Sequence, residues 1–402
     1  MKVGVATSVS NAAVALAAYS RWCNFSAELP DPTKNEAEFA ASLLQLLDQH
    51  PSNVVMPAHD GSIEVLRRYR AEFEKRAALP LASEQALEIA VNKQKTLAVA
   101  EGLGIATPRR AALDCEADVV DAVREIGLPA VLKPNRSWAA HAGGGIRLAS
   151  LLVQTVDEVK AECHYLEGLG ATATLQGWLP GGRDAVSFFV GGGEVRARFA
   201  QTSYRELPPL GGASVLCESI PLLDDIAGPA ERLVQTIGLE GCSMVEFRRD
   251  AKGKPVLMEL NPRMAGSVNL AVRCGVDFPS MTYAWAMGKP LSNISSYAVG
   301  KRIRWLVGDF WNLKYSFDSP RGPDTPGRLR AVTRFLADFV RRPAALDPFD
   351  WTDPVPSLVE MHIYVLARIA GRIARFGRNP VPALMPITPH WVWGLLAYDH
   401  LS

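Results

Sequence analysis

The stretch KGKPVLMELNPRMAGSVN, Lys252–Asn269, runs through Val256, Leu257 and Met258 and then sets Glu259, Asn261 and Arg263 at alternate positions. In a β-strand, side chains two apart share a face. A carboxylate, a carboxamide and a guanidinium therefore line one side, while Leu260 and Pro262 turn away. Glu and Asn supply hard oxygen ligands of the kind magnesium takes, and an arginine one step further suits phosphate oxygens. SMVEFRRD, one strand earlier, supplies Glu246, joined to the row by the turn Asp250–Lys254. Carboxylates facing each other on antiparallel neighbours repel unless a cation lies between them. Glu246, Glu259 and Asn261 are thus expected to hold one or two magnesium ions bridging phosphates, against the alternative of a solvated strand face.

The rest of the chain sets the frame. Its 402 residues exceed one typical domain, and 48% apolar with 21% charged is ordinary globular composition. A formal charge of +1 gives no field for nucleic acid. Six cysteines stand without a CxxC pair or histidines at zinc spacing, which predicts reduced thiols and a cytoplasmic protein. No stretch reaches the length of a transmembrane segment. The opening MKVGVATSVSN is read as strand, loop and helix rather than as a signal peptide.

Residues 1–90 alternate strand and helix, which predicts a parallel βα domain. Its strand at Val3–Thr7 leads to a helix near Asn11–Arg21, and Trp22–Pro30 reads as short of a βα step. Ser8, Ser10, His59 and Asp60 fall on the rim beyond the strand ends, where such sheets bind ligands. A single helix is expected from Ser83 to the glycines at 102 and 104. Strands then dominate to residue 292 and mostly alternate, which predicts antiparallel sheets of an α+β unit. Residues 293–402 read as a mostly helical region containing the basic helix VLARIAGRIARFGR and the aromatic PHWVWGLLAYDHL. That region suits packing on the core or contact with a membrane surface or partner helix.

Phosphates need a cradle. HAGGGIRLA offers Gly143, Gly144 and Gly145, whose backbone N–H groups can approach an anion, although tight turns use glycines as readily. Lys133 ends the apolar strand GLPAVLKPN ten residues earlier, and Lys93 lies upstream with Lys95 as its rival.

Four motifs in order, NKQKTLAVAEGLGIATP, LPAVLKPN with AGGGIRL, LQGWLPGGRD and SMVEFRRDAKGKPVLMELNPR, resemble the ATP-grasp superfamily of ATP-dependent ligases, above all its carboxylate–amine and carboligase-like members. The resemblance runs from about Ser83 to Lys289 and implies a two-lobed ATP-grasp domain, taken as 91–292, behind the βα domain. It implies ATP with Mg2+ (or Mn2+) as cofactors, and small-molecule carboxylate and amine substrates joined through an acyl phosphate. By resemblance Lys93 and Lys133 reach the phosphates, and Gln176, Gly177, Trp178 and Leu179 form the inter-lobe strand that holds adenine. Asp184 resembles the acidic residue on the ribose, while Glu246, Glu259 and Asn261 carry over as magnesium ligands and Arg263 as the charge stabiliser. Gln176-Gly177 stands where many members carry an acidic residue, and Arg136, Trp138 and His141 make the glycine segment less glycine-rich than usual. Arg205, in SYRELPPLGGAS, is a candidate for the substrate carboxylate or acyl phosphate, or else a surface arginine. Bicarbonate activation and a catalytically silent ATP-binding module remain as alternatives, and the reading leaves room for a homodimer.

Overall fold

The computed structural model describes residues 2–8, 16–32, 35–135, 138–141, 144–148, 150–207, 211–318, 327–340, 344–364 and 395–398. The front unit holds β1 (Lys2–Ser8), β2 (Cys23–Leu29), α1 (Glu36–Gln49), β3 (Val54–Met56), α2 (Asp60–Arg68) and α3 (Arg70–Phe73). α1 shows how the sequence writes these elements. Asn35 accepts from the Glu38 N–H, Glu36 and Glu38 complement the helix dipole, and Phe39, Ala40, Leu43, Leu46 and Leu47 form the buried stripe. Cys23–Leu29, expected to lack a βα step, is the strand that pairs parallel with β1. Of the helix expected at 11–21, residues 16–19 form one 3-10 turn, and 9–15 lie outside the described residues.

The front sheet is not purely parallel. Its order is β2, β1, the segment Leu395–Tyr398, then β3, and that segment runs antiparallel to both neighbours. β1 and β3 are therefore joined by a strand from the far end of the chain, which local βα alternation cannot reveal.

The helix expected from Ser83 is two, α4 (Glu84–Ala90) and α5 (Lys93–Gly102). Asn92 breaks it by turning its carboxamide to the Lys95 N–H at 3.1 Å, and Thr96 Oγ1 donates back to the Ile89 carbonyl at 2.8 Å. Lys93 consequently stands in the first turn of α5 rather than inside a longer helix.

The smaller lobe follows: β4 (Arg110–Leu113), α6 (Val119–Ile126), β5 (Ala130–Pro134), β6 (Trp138–His141), β7 (Gly144–Arg147), β8 (Leu151–Val153), α7 (Val156–Gly168) and β9 (Ala173–Gly177). Its sheet, β4-β9-β5-β8, is antiparallel and packs Leu113, Leu132 and Leu175 against Val119, Ile126, Val159 and Leu166 of the two helices. β6 and β7 form a separate hairpin.

The larger lobe is built on β10 (Arg183–Gly191), β11 (Glu194–Leu207), β12 (Ala213–Ile220), α8 (Asp224–Ile237), β13 (Gly241–Arg249), β14 (Pro255–Asn261), α9 (Val268–Arg273), α10 (Phe278–Ala286) and β15 (Arg302–Trp305). After them come α11 (Leu306–Asp318), α12 (Arg328–Val340), β16 (Ala345–Asp347), α13 (355–364) and β17 (Leu395–Tyr398). Seven strands lie in the order β14-β13-β10-β11-β12-β15-β16, so residues beyond 293 extend this sheet as well as adding helices.

The two faces differ. Val186, Phe188, Val245 and Phe247 pack one face on Ile226, Leu233 and Val234 of α8. Phe189, Phe199 and Cys217 on the other meet Leu270 and Phe278 of α9 and α10, at one end only. The open end of that second face holds the charged residues described next.

At the far edge, Trp305 Nε1 donates to Glu360 Oε1 at 2.7 Å, and burial pushes the Glu360 carboxyl up to about 7. An unfolded glutamate titrates near 4.3, so the unfolded chain releases this proton first. Stability then falls as pH rises from about 4.3 to 7, by at most about 4 kcal/mol. Thermal melts at pH 5 and pH 8 are expected to show this loss in the wild type, and Glu360→Gln should remove it. An unchanged slope in the variant would assign the loss to other groups.

Candidate active site

The hairpin β13–β14 delivers what its alternation promised. Glu246 stands directly opposite Glu259, and Met244 opposite Asn261. A bulge at Met258 shifts the register between Glu246 and Phe247, turning Met258 toward the smaller lobe, where Gln176 Nε2 lies 3.9 Å from its sulfur. Asn261 Nδ2 donates to Glu259 Oε1 at 3.1 Å, and Arg263 Nη2 donates to Asn261 Oδ1 at 3.3 Å. Arg263 also grips Asp60 at the start of α2, Nε to Oδ1 at 2.8 Å.

Four cations converge on the two carboxylates. Arg183 Nη1 lies 3.3 Å from Glu246 Oε2, and the charges of Lys93, Lys133 and Arg263 act on Glu259. Burial pushes the Lys133 ammonium down to about 8, opposed by Glu259 and Glu246. Burial also raises the Glu246 carboxyl, with Arg183 opposing and Glu259 adding to it. For Glu259 burial acts upward too, but Lys93, Lys133, the Asn261 amide and Arg263 outweigh it and hold the carboxyl below its ordinary range. Across the ladder, then, one carboxylate is held ionised and its neighbour is driven toward its proton.

That pairing fits a divalent cation. The donors are hard oxygens, two of them carboxylates in register, Glu246 buried and Glu259 half-buried, whose repulsion such an ion relieves. Among the described residues no three His, Cys, Asp or Glu side chains gather into a metal-binding group. The set here is two carboxylates and a carboxamide.

The structure also finds charged residues that the sequence reading passed over. Glu206 accepts from Arg248 Nη2 at 2.9 Å on both oxygens and lies 3.3 Å from Arg183 Nε, tying both arginines to the carboxylate face. The Arg248 guanidinium sits 6.0 Å from the Trp178 ring, and its Nη1 donates to the Gly181 carbonyl at 3.3 Å. Arg248 follows Glu246 by two residues, so the alternation that found Glu259 and Asn261 would have found it. Arg183 and Glu206 depend on cross-strand register and left no such signal.

The remaining candidates divide. Gln176 and Gly177 end β9, with the Gly177 N–H donating to the Arg109 carbonyl at 2.9 Å; Trp178 and Leu179 lead into β10. Gly144 and Gly145 lie in β7, opposite His141 and Ala140, while Gly143 lies outside the described residues. Asp184 is placed elsewhere. It opposes Phe247 whereas Ala185 opposes Glu246, so Asp184 occupies the α8 face of the sheet, where Arg249 Nε donates to it at 2.9 Å. This parity corrects its grouping with the nucleotide residues. Arg205 is likewise drawn away, gripping Asp309 at 2.6 and 2.7 Å and Asp338 at 2.6 Å on the C-terminal helices. Its guanidinium ties those helices to the sheet and offers no open fork to a substrate.

With two lobes, two lysines and a facing carboxylate ladder, the chain is similar in sequence and fold to proteins of the ATP-grasp superfamily. Residues 215–308 match the family described as ATP-grasp in the biosynthetic pathway with Ter operon. D-alanine–D-alanine ligase B of Pseudomonas syringae pv. tomato is 29% identical over 221 residues, spanning 49% of this chain and 63% of that protein. The match thus covers less than two thirds of that relative. Two solved structures share the fold. Biotin carboxylase from Campylobacter jejuni, in a β-γ-ATP complex, superposes with a TM-score of 0.56 at 16% identity, covering 70% of this chain and 65% of that one. L-amino acid ligase from Bacillus licheniformis gives 0.52 at 18% identity, covering 67% and 64%.

Proposed function

We propose that the protein is an ATP-dependent ligase that activates a carboxylate as an acyl phosphate and joins it to an amine. The observation that carries this reading is the facing pair Glu246 and Glu259, in register with Asn261 and within the fields of Lys93, Lys133, Arg183 and Arg263. A substrate carboxylate oxygen attacks the γ-phosphorus, the bond to the bridging oxygen breaks, and ADP leaves. The amine nitrogen then attacks the acyl carbon, expels inorganic phosphate and gives up its proton. Phosphoryl transfer asks a protein chiefly for positioning and charge neutralisation. Glu246, Glu259 and Asn261 would hold magnesium, which supplies Lewis-acid neutralisation of the phosphate oxygens. Lys93 and Lys133 bind the phosphates, Arg263 faces the transferred group, Gln176 to Leu179 hold the adenine, and the segment from Gly143 to Gly145 covers the phosphates. Asp60 brings the front unit to Arg263, which supports a place for the carboxylate and amine near the rim at His59–Gly61.

The test is a screen of carboxylates with ATP, magnesium and hydroxylamine, measuring ADP and hydroxamate. Hydroxylamine intercepts an acyl phosphate whatever the natural amine. Hydroxamate with stoichiometric ADP is the expected result. AMP and pyrophosphate would overturn it in favour of an adenylate, and ADP release dependent on bicarbonate alone would move the reading to a carboxylase-like reaction.

A further inference from the structure

A surface helix of a globular protein turns its apolar stripe inward and its charges to water. α12 obeys the first half of that rule. Ala331 and Phe335 are buried, Asp338 Oδ2 accepts from Arg205 at 2.6 Å, and the Phe335 carbonyl accepts from Arg304 at 3.1 Å. Its outer side departs from the second half. Leu329, Leu336 and Val340 are 79%, 57% and 82% exposed, and their spacing of seven and then four residues stacks them in one row. That row runs about 16 Å along the helix. Arg328, Arg330 and Arg334 are exposed beside it. The sequence continues with Arg341 and Arg342. The one acid of α12, Asp338, is turned inward to Arg205 and Arg302, so this outer side carries positive charge only.

The occupant must therefore be apolar at its centre and negative at its rim. A second copy of the chain fits poorly, because pairing two such helices about a twofold axis sets arginine against arginine. We propose that the outer face of α12 seats on an anionic phospholipid surface, with the two leucines and Val340 entering the head-group boundary and the arginines meeting lipid phosphates. Among the described residues no helix is long and apolar enough to cross a membrane. The contact is peripheral. Three apolar side chains flanked by arginines give reversible, salt-sensitive attachment.

The experiment is co-sedimentation of the full chain with vesicles of phosphatidylglycerol and phosphatidylcholine in equal parts, against vesicles of phosphatidylcholine alone. Pelleting with the anionic vesicles only, reversed by added salt, is expected. Leu336→Glu and, separately, Arg330→Glu with Arg334→Glu should each weaken binding on the order of tenfold. These residues lie outside the candidate active site, so melting temperature and nucleotide affinity should stay at wild-type values and show that the variants fold. Failure to pellet with anionic vesicles, equal pelleting with neutral ones, or wild-type binding by folded variants would each overturn the proposal. So would a dimer in sedimentation velocity that Leu336→Glu dissolves, which would assign the face to a second copy.

Discussion

Glu259→Gln is expected to lower ATP turnover by about 10²–10³-fold, the scale of losing one preorganised electrostatic group at a reacting centre. The substitution keeps the shape and an oxygen to accept from Asn261, whose amide lies 3.1 Å away. What disappears is the ionised carboxylate that Lys93, Lys133 and Arg263 hold below its ordinary range. Without it the cations lose their main counter-charge and the ladder position opposite Glu246 becomes neutral, so a divalent ion held as proposed would keep one carboxylate of two. ADP release in a coupled assay, beside a thermal melt showing an intact fold, measures the effect. Turnover within a few-fold of wild type would remove the chemistry from this hairpin.

The second large effect is on stability. Asp309 is wholly buried and accepts from Arg205 at 2.6 and 2.7 Å and from Arg304 at 2.6 Å. Arg304 is 1% exposed and its guanidinium lies 4.3 and 4.2 Å from the ring centroids of Phe335 and Phe339. Asp309→Ala leaves a desolvated guanidinium with its principal counter-ion gone. Breaking a buried pair from one side costs about 3–5 kcal/mol, far more than a surface pair is worth. Urea unfolding should show a midpoint lowered accordingly. A loss under about 1 kcal/mol would mean that water or Asp338 compensates Arg304.

Why some of this was legible in the sequence and some not follows from the range of the physics involved. Glu246, Glu259, Asn261 and Arg263 could be grouped because two-residue alternation and one tight turn are local, and the hairpin register kept them together. Lys133 is likewise at the end of a short buried strand, as its apolar run predicted. The break at Asn92 was missed because a helix-compatible apolar pattern continues across it; only the capping bond reveals it. Asp184 failed on parity, since a shift of one residue in strand pairing moves a side chain through the sheet. Arg205 failed because its partners lie more than a hundred residues away, in helices whose packing has no local signature. The same holds for Leu395–Tyr398, whose place between β1 and β3 is a non-local pairing.

The bond between Arg263 and Asp60 spans 203 positions of sequence and joins the front unit to the strand end that carries Glu259 and Asn261. Asp60 is 67% exposed and Arg263 only 20%, so one partner faces the outside while the other belongs to the interior. Anything that alters the hold of Asp60 alters the freedom of Arg263, and the reverse holds by the same free energy. The rim and the carboxylate ladder therefore share one thermodynamic ledger. On the proposed function, a molecule arriving at the first would report itself as a changed affinity at the second, and a nucleotide bound at the second would change what the first accepts, by an equal factor.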